Sequence, residues 1–303
     1  NNAVITSTSG NLKVGSYSLD ATSVNVNSQD FSNNIHIVGS YDVAAKSLTM
    51  TSSGTKVYDG SANMTNLTLT PVGKVSTSDV VTINGVGTYA DKNVTASANK
   101  SYTVTNLSLS GADAANYVLT NGVSSAAIST QNGSNGQITP RPLTIDFTGV
   151  DRVYDGGTTA TVTTATTVAN GFVAGDTFTI NRTAAFANKN VAYDVSNNVT
   201  TKAVSVTGVS LSGTDAANYS VAATGTTTAT LTPKLLTVVY TGVNKVYDGN
   251  TVGTVTTTDD RVSGDVLDIN RTASYADKNV GLNKAVSVSG VSLSDPTGAS
   301  SID

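Results

Sequence analysis

The chain has 303 residues, 38% of them hydrophobic and 13% charged, with 17 Lys and Arg against 21 acidic residues, no Cys and no Trp. That length suggests about two to three domains. The lack of Cys excludes disulfides, thiolate catalysis and Cys-based zinc sites, and the lack of any Lys/Arg cluster argues against nucleic acid and anionic membranes as partners.

Every acidic residue is Asp. A chain without Glu but rich in Asp, Asn, Thr and Val is suited to strands and turns rather than helices. The chain opens Asn1-Asn2-Ala3, with neither Met nor a charged-then-apolar leader, as expected of a processed or excised piece. No apolar run approaches the roughly 18 residues that a membrane span requires. Residues 1–46 read as the C-terminal part of a preceding, degenerate repeat, with Asp30-Phe31-Ser32-Asn33-Asn34 standing for a block that recurs later. His36 lies in the alternating segment Ile35-His36-Ile37 and is the single histidine. It has no second His or Cys with which to build a metal site.

From residue 47 the sequence repeats itself. Lys56-Val57-Tyr58-Asp59-Gly60 returns as Arg152-Val153-Tyr154-Asp155-Gly156 and as Lys245-Val246-Tyr247-Asp248-Gly249, with the tyrosines 96 and 93 residues apart. Thr88-Tyr89-Ala90-Asp91-Lys92-Asn93-Val94 matches Ala185–Val191 and Ser274–Val280, and Asp113-Ala114-Ala115-Asn116-Tyr117 matches Asp215–Tyr219. The expected repeats are therefore 47–140, 141–233 and a shortened third, 234–303. A period of this size is a whole domain, not a solenoid turn. The joints Thr139-Pro140-Arg141-Pro142 and Thr232-Pro233-Lys234 are stiffened by proline, so a semi-rigid rod is expected.

Alternation marks the strands: Leu143, Ile145 and Phe147 share one face, and Phe178 and Ile180 another. Leu235–Tyr240 is more continuous, as for a strand buried on both faces. Each repeat also carries a phase slip. Val204 and Val206 alternate, Gly208 interrupts, and Val209 and Leu211 resume one residue out of step; Asn106 and Gly290 hold the same place in the other repeats. Such a slip exchanges the two faces unless a bulge absorbs it, and Gly or Asn suits that backbone. A bulge is predicted at all three. The expected fold is all-β, with two-sheet sandwich units; a β-grasp unit with one helix is the alternative. Asp-Ala-Ala-Asn-Tyr is the one credible helical turn.

The motif residues read as structural. In Tyr58-Asp59-Gly60, Tyr154-Asp155-Gly156 and Tyr247-Asp248-Gly249, Gly supplies a positive φ and Asp bonds its own backbone. The Tyr ring anchors the turn while its hydroxyl finds a partner. Asp91-Lys92-Asn93 reads as a polar turn, in preference to half of a Lys–Asn isopeptide cross-link. Asp259, Asp260, Asp265 and Asp268 lack calcium-loop spacing and read as a solvated face without counterparts in the other repeats. No catalytic, cofactor-binding or metal-binding residue is assigned, and no nucleophile-elbow Gly-x-Ser-x-Gly occurs.

Together the Lys/Arg-Val-Tyr-Asp-Gly, Ala-Asp-Lys-Asn-Val, Asp-Ala-Ala-Asn-Tyr and closing Ile/Leu-Thr-Pro blocks resemble the YDG-repeat family of filamentous-haemagglutinin-like bacterial surface adhesins. The resemblance covers about residues 47–295. It implies secretion, display at the bacterial cell surface, and a structural or adhesive role without catalysis or cofactors. Two alternatives stand beside a stalk: a module whose loops contact host or matrix glycans or proteins, and a self-assembling extracellular filament in which neighbouring copies of the chain join by strand addition.

Overall fold

The structure, a computed structural model, describes residues 5–18, 29–30 and 39–296. His36 and Phe31–Asn34 lie outside the described residues. The chain divides into two compact units. Unit 1 comprises Asn1–Pro142, Val173–Phe178 and Gly213–Ser220; unit 2 comprises Leu143–Phe172, Thr179–Ser212 and Val221–Asp303. Two short pieces of the second sequence repeat are thus packed within unit 1, beside residues of the first.

Unit 1 is built on two larger curled sheets, with two-stranded pairs of Gly15–Ser18 with Ser40–Val43 and of Arg141–Pro142 with Tyr219–Ser220 beside them. One orders Thr55–Val57, Gln131–Thr139, Lys100–Ser110 and Thr82–Tyr89; the other orders Thr68–Val72, Lys46–Ser53 and Tyr117–Leu119. Most pairs are antiparallel, but Lys46–Leu48 runs parallel to Tyr117–Leu119, and Thr55–Val57 parallel to Gln137–Thr139. The core is made of few and mostly modest side chains. Leu48, Val81 and Tyr117 are buried together, and the Tyr89 and Tyr102 rings meet edge to face at 6.4 Å. Tyr102 explains Gly133: a Cβ there would stand 2.1 Å from the ring.

Unit 2 repeats the plan. Arg152–Val153, Gly225–Thr232, Thr201–Ser212 and Thr179–Phe186 form one sheet, and Asp146–Val150 pairs with Thr161–Ala165. Phe186, Val204, Val206 and Ala229 fill the core between them, with Ile145 and Phe147 packed against it. The remainder forms a single sheet in chain order, Val238–Val243, Val252–Asp259, Asp268–Tyr275 and Val286–Ser294.

The predicted bulges are present in all three repeats. Asn181 faces Ser210 and Thr183 faces Thr207, so Gly208 and Val209 together oppose one residue. Asn106–Leu107 and Gly290–Val291 do the same. Asn106, Gly208 and Gly290 have φ of 55°, 63° and 60°, the left-handed backbone such a bulge needs. The helical turn is also as expected: Ala114–Asn116 and Ala216–Asn218 are single 3-10 turns, and no longer helix occurs among the described residues, against the β-grasp alternative. One strand expectation fails. Leu235 is 86% exposed, the strand starts only at Val238, and its burial alternates. The run therefore has one partly covered face, with Val238 and Tyr240 half-buried and Val239 and Thr241 exposed.

Candidate functional site

The Tyr-Asp-Gly turn is built locally. Gly60, Gly156 and Gly249 have φ of 82°, 81° and 79°, and the Asp carboxylate accepts the backbone N–H two residues on, at 2.9, 2.8 and 3.2 Å. The basic residue that opens the motif closes back on the same Asp: Lys56 at 2.7 Å, Lys245 at 2.9 Å, and Arg152 in a short contact. The same cation lies over an aromatic ring of the next block, Tyr89 at 5.9 Å, Phe186 at 5.4 Å or Tyr275 at 5.7 Å. Each such contact stabilises by about 0.5–1 kcal/mol. This accounts for Lys or Arg at the head of the motif and for an aromatic before Ala-Asp/Asn-Lys.

That turn holds the tyrosine ring outward from its own sheet, and in unit 1 a buried carboxylate receives it. Tyr58 is 0% exposed. Its hydroxyl donates to Asp176 at 2.7 Å, and Tyr219 donates to the same Asp176 oxygen at 2.6 Å. Lys92 approaches Asp176 at 2.8 Å and Asp215 at 3.1 Å, and stands 5.8 Å from the Tyr58 ring centre. The backbone N–H of Val173 donates to the Tyr219 oxygen at 3.0 Å, and Thr177 N–H to Asp215 at 2.9 Å. Asn218, fully buried, accepts from the Val94 N–H at 3.0 Å. Tyr58 and Lys92 come from the first sequence repeat; Asp176, Asp215, Asn218 and Tyr219 come from the second. The contact joins consecutive repeats inside one compact unit.

The electrostatics favour an ion pair. Burial alone would raise the Asp176 carboxyl, but the Lys92 ammonium and the Tyr219 and Tyr58 hydroxyls outweigh it and hold it below the ordinary carboxylate value. Asp176, aided by Tyr58, pushes the Lys92 ammonium up. Burial, followed by the neighbouring Asp176, pushes both tyrosine hydroxyls up, so they remain donors.

Unit 2 contains the same contact in a leaner form. Tyr154 donates to Asp265 at 2.8 Å, Lys189 lies 3.0 Å from Asp265, and Lys189 stands 5.9 Å from the Tyr154 ring centre. A third copy of the carboxylate, Asp79, receives Tyr117 and Ser9 in short hydrogen bonds, while Asp113 accepts the Thr8 N–H at 3.0 Å. There hydroxyl groups of residues 7–9 occupy the place that Tyr58 and Lys92 take at Asp176.

Of the motif residues, Tyr58 and Tyr154 are brought to a partner, whereas Tyr247 remains 58% exposed. The acidic cluster requires correction. Asp265 is a largely buried acceptor with counterparts at Asp79 and Asp176, not part of a solvated face. Asp259, largely buried, pairs with Arg261 at 2.7 Å, whereas Asp260, which pairs with Lys234 at 2.9 Å, and Asp268 are exposed. The Asp-Lys-Asn turn forms as expected, with Asn93 N–H donating to Asp91 at 2.7 Å, but Lys92 reaches beyond it. The carboxylates themselves carried a sequence signal: Asp79, Asp176 and Asp265 each open Asp-x-x-x-Ile-Asn, ten residues before Tyr89, Phe186 and Tyr275.

The fold and these contacts define an all-β array whose motif side chains are used where one repeat meets the next. The YDG domain family matches residues 44–126, 139–229 and 232–301, and the chain belongs to that family. No curated protein and no solved structure matches the chain.

Proposed function

We propose that this chain is a structural length of stalk in a secreted bacterial cell-surface adhesin, a spacer that bears load and holds other parts of the assembly away from the cell. The observation that supports it is the use of the repeated residues. Tyr58 and Lys92 are occupied at a carboxylate of the following repeat, so the motif that defines the repeat is turned inward rather than offered to a ligand. Repetition of one contact along a chain suits a spacer. The extracellular, surface-displayed setting belongs to the same proposal and follows the resemblance to haemagglutinin-like adhesins.

Two measurements test it. Antibody raised to the chain is expected to label intact, unpermeabilised cells of the source bacterium. On arrays of glycans and matrix proteins the isolated chain is expected to give no saturable signal. Specific, saturable binding to one glycan or matrix protein would replace the spacer with a binding module, and label confined to permeabilised cells would remove the surface assignment.

A further inference from the structure

Two of the recurring sequence blocks lie side by side in the structure. Lys56-Val57 of the Tyr-Asp-Gly motif pairs in parallel with Ile138-Thr139 of the closing block, and Arg152-Val153 pairs in parallel with Leu231-Thr232. The entering stretch of a repeat is thereby bonded directly to its last strand. In each pair one more backbone N–H extends the ladder: Tyr58 donates to Thr139 at 2.9 Å and Tyr154 to Thr232 at 2.8 Å. The threonine hydroxyl donates to the carbonyl of the basic residue, at 3.3 and 3.4 Å. Ile138 and Leu231 are completely buried, which shields one side of the rungs from water.

This order decides how a repeat meets tension. The chain enters before the first of the two strands and leaves at the end of the other. Because the strands run parallel, tension draws them in opposite directions along their own axes. All the rungs are then strained together, whereas a hairpin pulled from its open end loses its bonds one at a time. The side chain that follows the first strand adds a stop. Sliding of Lys56-Val57 toward the N-terminus would drag the fully buried Tyr58 from its seat at Asp176.

We propose that this parallel pair is a mechanical clamp, the element that sets the resistance of each repeat to stretching from its ends. The inference rests on the load-bearing part of the stalk reading and gives it a structural seat. The repeat 47–140 has the stronger clamp. Its pair spans Thr55, Lys56 and Val57, and Gln137 N–H donates to Gly54 at 3.1 Å. The Tyr89 hydroxyl reaches the Gly54 carbonyl at 2.9 Å and the Gln137 carbonyl at 3.3 Å, and so ties the two strands together. The repeat 141–233 pairs only Arg152 and Val153. There the Asp151 carboxylate accepts the Thr230 N–H at 2.6 Å, and Phe186, in the place of Tyr89, has no hydroxyl to offer.

The test is single-molecule force spectroscopy on the full chain. With handles at the two termini, the repeats 47–140 and 141–233 are expected to open in separate steps, each releasing about 30 nm at about 3.5 Å per residue. The chain has no Cys, so Ser97→Cys, at an exposed position, supplies a unique alternative handle. Pulled from residue 97 and the C-terminus, Lys100 and Thr139 are drawn apart at the same end of an antiparallel pair, where Lys100 faces Gly136. Those strands unzip, so the first repeat should open at lower force than from the termini. Forced opening is governed by the unfolding rate. Tyr89→Phe, pulled from the termini at constant force, should therefore open one step about fivefold faster, as the loss of one hydrogen bond implies, and leave the other unchanged. Equal forces in the two geometries, or an unaltered rate in Tyr89→Phe, would overturn the clamp. Surface labelling separates this from the stalk reading. A chain displayed on cells that opens at equal force in both geometries loses the clamp alone; one that resists as expected but labels only permeabilised cells loses the stalk alone.

Discussion

Asp176 in unit 1 and Asp265 in unit 2 are the same residue of the repeat in two settings. The first receives two tyrosine hydroxyls and a lysine; the second receives one tyrosine and a lysine. Since Tyr154 and Lys189 find Asp265 without a counterpart of Tyr219, the Tyr-Asp-Gly turn and the Asp/Asn-Lys-Asn turn suffice to aim both donors. The Asp-Ala-Ala-Asn-Tyr block then adds burial and a second hydroxyl. Aim is a property of the turns, and tightness is a property of what closes over them.

The largest effect follows from removing the ring. Tyr58→Ala empties a fully buried site among Tyr219, Lys92 and Asp176 and is expected to destabilise unit 1 by about 3–5 kcal/mol, read as a lowered midpoint in denaturant melts. Tyr154→Ala should cost less, because its carboxylate receives one tyrosine instead of two. Tyr247→Ala, at an exposed ring, should stay within about 0.5 kcal/mol. Equal losses at all three would show that the turn itself, and not the joint, uses the tyrosine.

Asp176→Ala comes next. It leaves Tyr58 and Tyr219 without an acceptor and Lys92 with Asp215 alone, for an expected loss of about 2–4 kcal/mol. The same residue sets an acid dependence. Its folded-state value lies below the ordinary one, so its contribution is complete above the unfolded Asp value of about 3.9 and is lost as pH falls through the folded value. Stability of unit 1 should therefore fall between about pH 4 and the lower folded value, and Asp176→Asn should flatten part of that slope. Asp59, Asp79, Asp91 and Asp113 are also held low and should retain the rest. An unchanged slope in Asp176→Asn would mean that this carboxylate is not ionised against Lys92.

How much of this was legible in the sequence depended on whether the cause was local. The bulges at Asn106, Gly208 and Gly290 were readable because the phase slip and the permissive residue lie within a few positions of each other. The Asx turns at Asp59 and Asp91 were readable for the same reason. The partner of Tyr58 lies 118 residues away, and nothing near Tyr58 points to it. Asp265 was read with its neighbours Asp259 and Asp260, as a charge run, when its meaning lay in its distance from Tyr275. Leu235–Tyr240 differs from the expectation because a continuous apolar run gives composition without saying whether a second layer covers the other face of the strand.

Lys92→Met sharpens the comparison further. Lys92 is 39% exposed at its side chain, so water screens the pair and the expected loss is about 0.5–1 kcal/mol. The cost should shrink as salt is raised, since partly exposed pairs are screened over about 10 Å at 0.1 M. Because the ammonium is held above its ordinary value by Asp176, its gain is fully present below the unfolded lysine value of about 10.4 and fades as pH rises toward the folded one. A loss that is the same at low and high salt would place Lys92 as a packing stem over Tyr58 instead.

The smallest expected effect is none at all, and it decides what kind of joint this is. Lys92 between Asp176 and Asp215 has the residue types of an isopeptide cross-link, in which an amine displaces water from a carboxyl beside a second carboxyl. That attack needs a neutral amine and a protonated carboxyl. Here the shifts run the other way: Asp176 keeps the ammonium charged, and Lys92 with two hydroxyls keeps the carboxylate ionised. Both partners are driven from the reactive form, so the joint should remain a reversible ion pair. The intact mass of the folded chain should equal that of its sequence, and Lys92→Met should lie above or below it only by the difference of the side chains. A wild-type mass short by one water, restored in Lys92→Met, would turn the contact at Asp176 into a covalent bond and separate it in kind from the contact at Asp265.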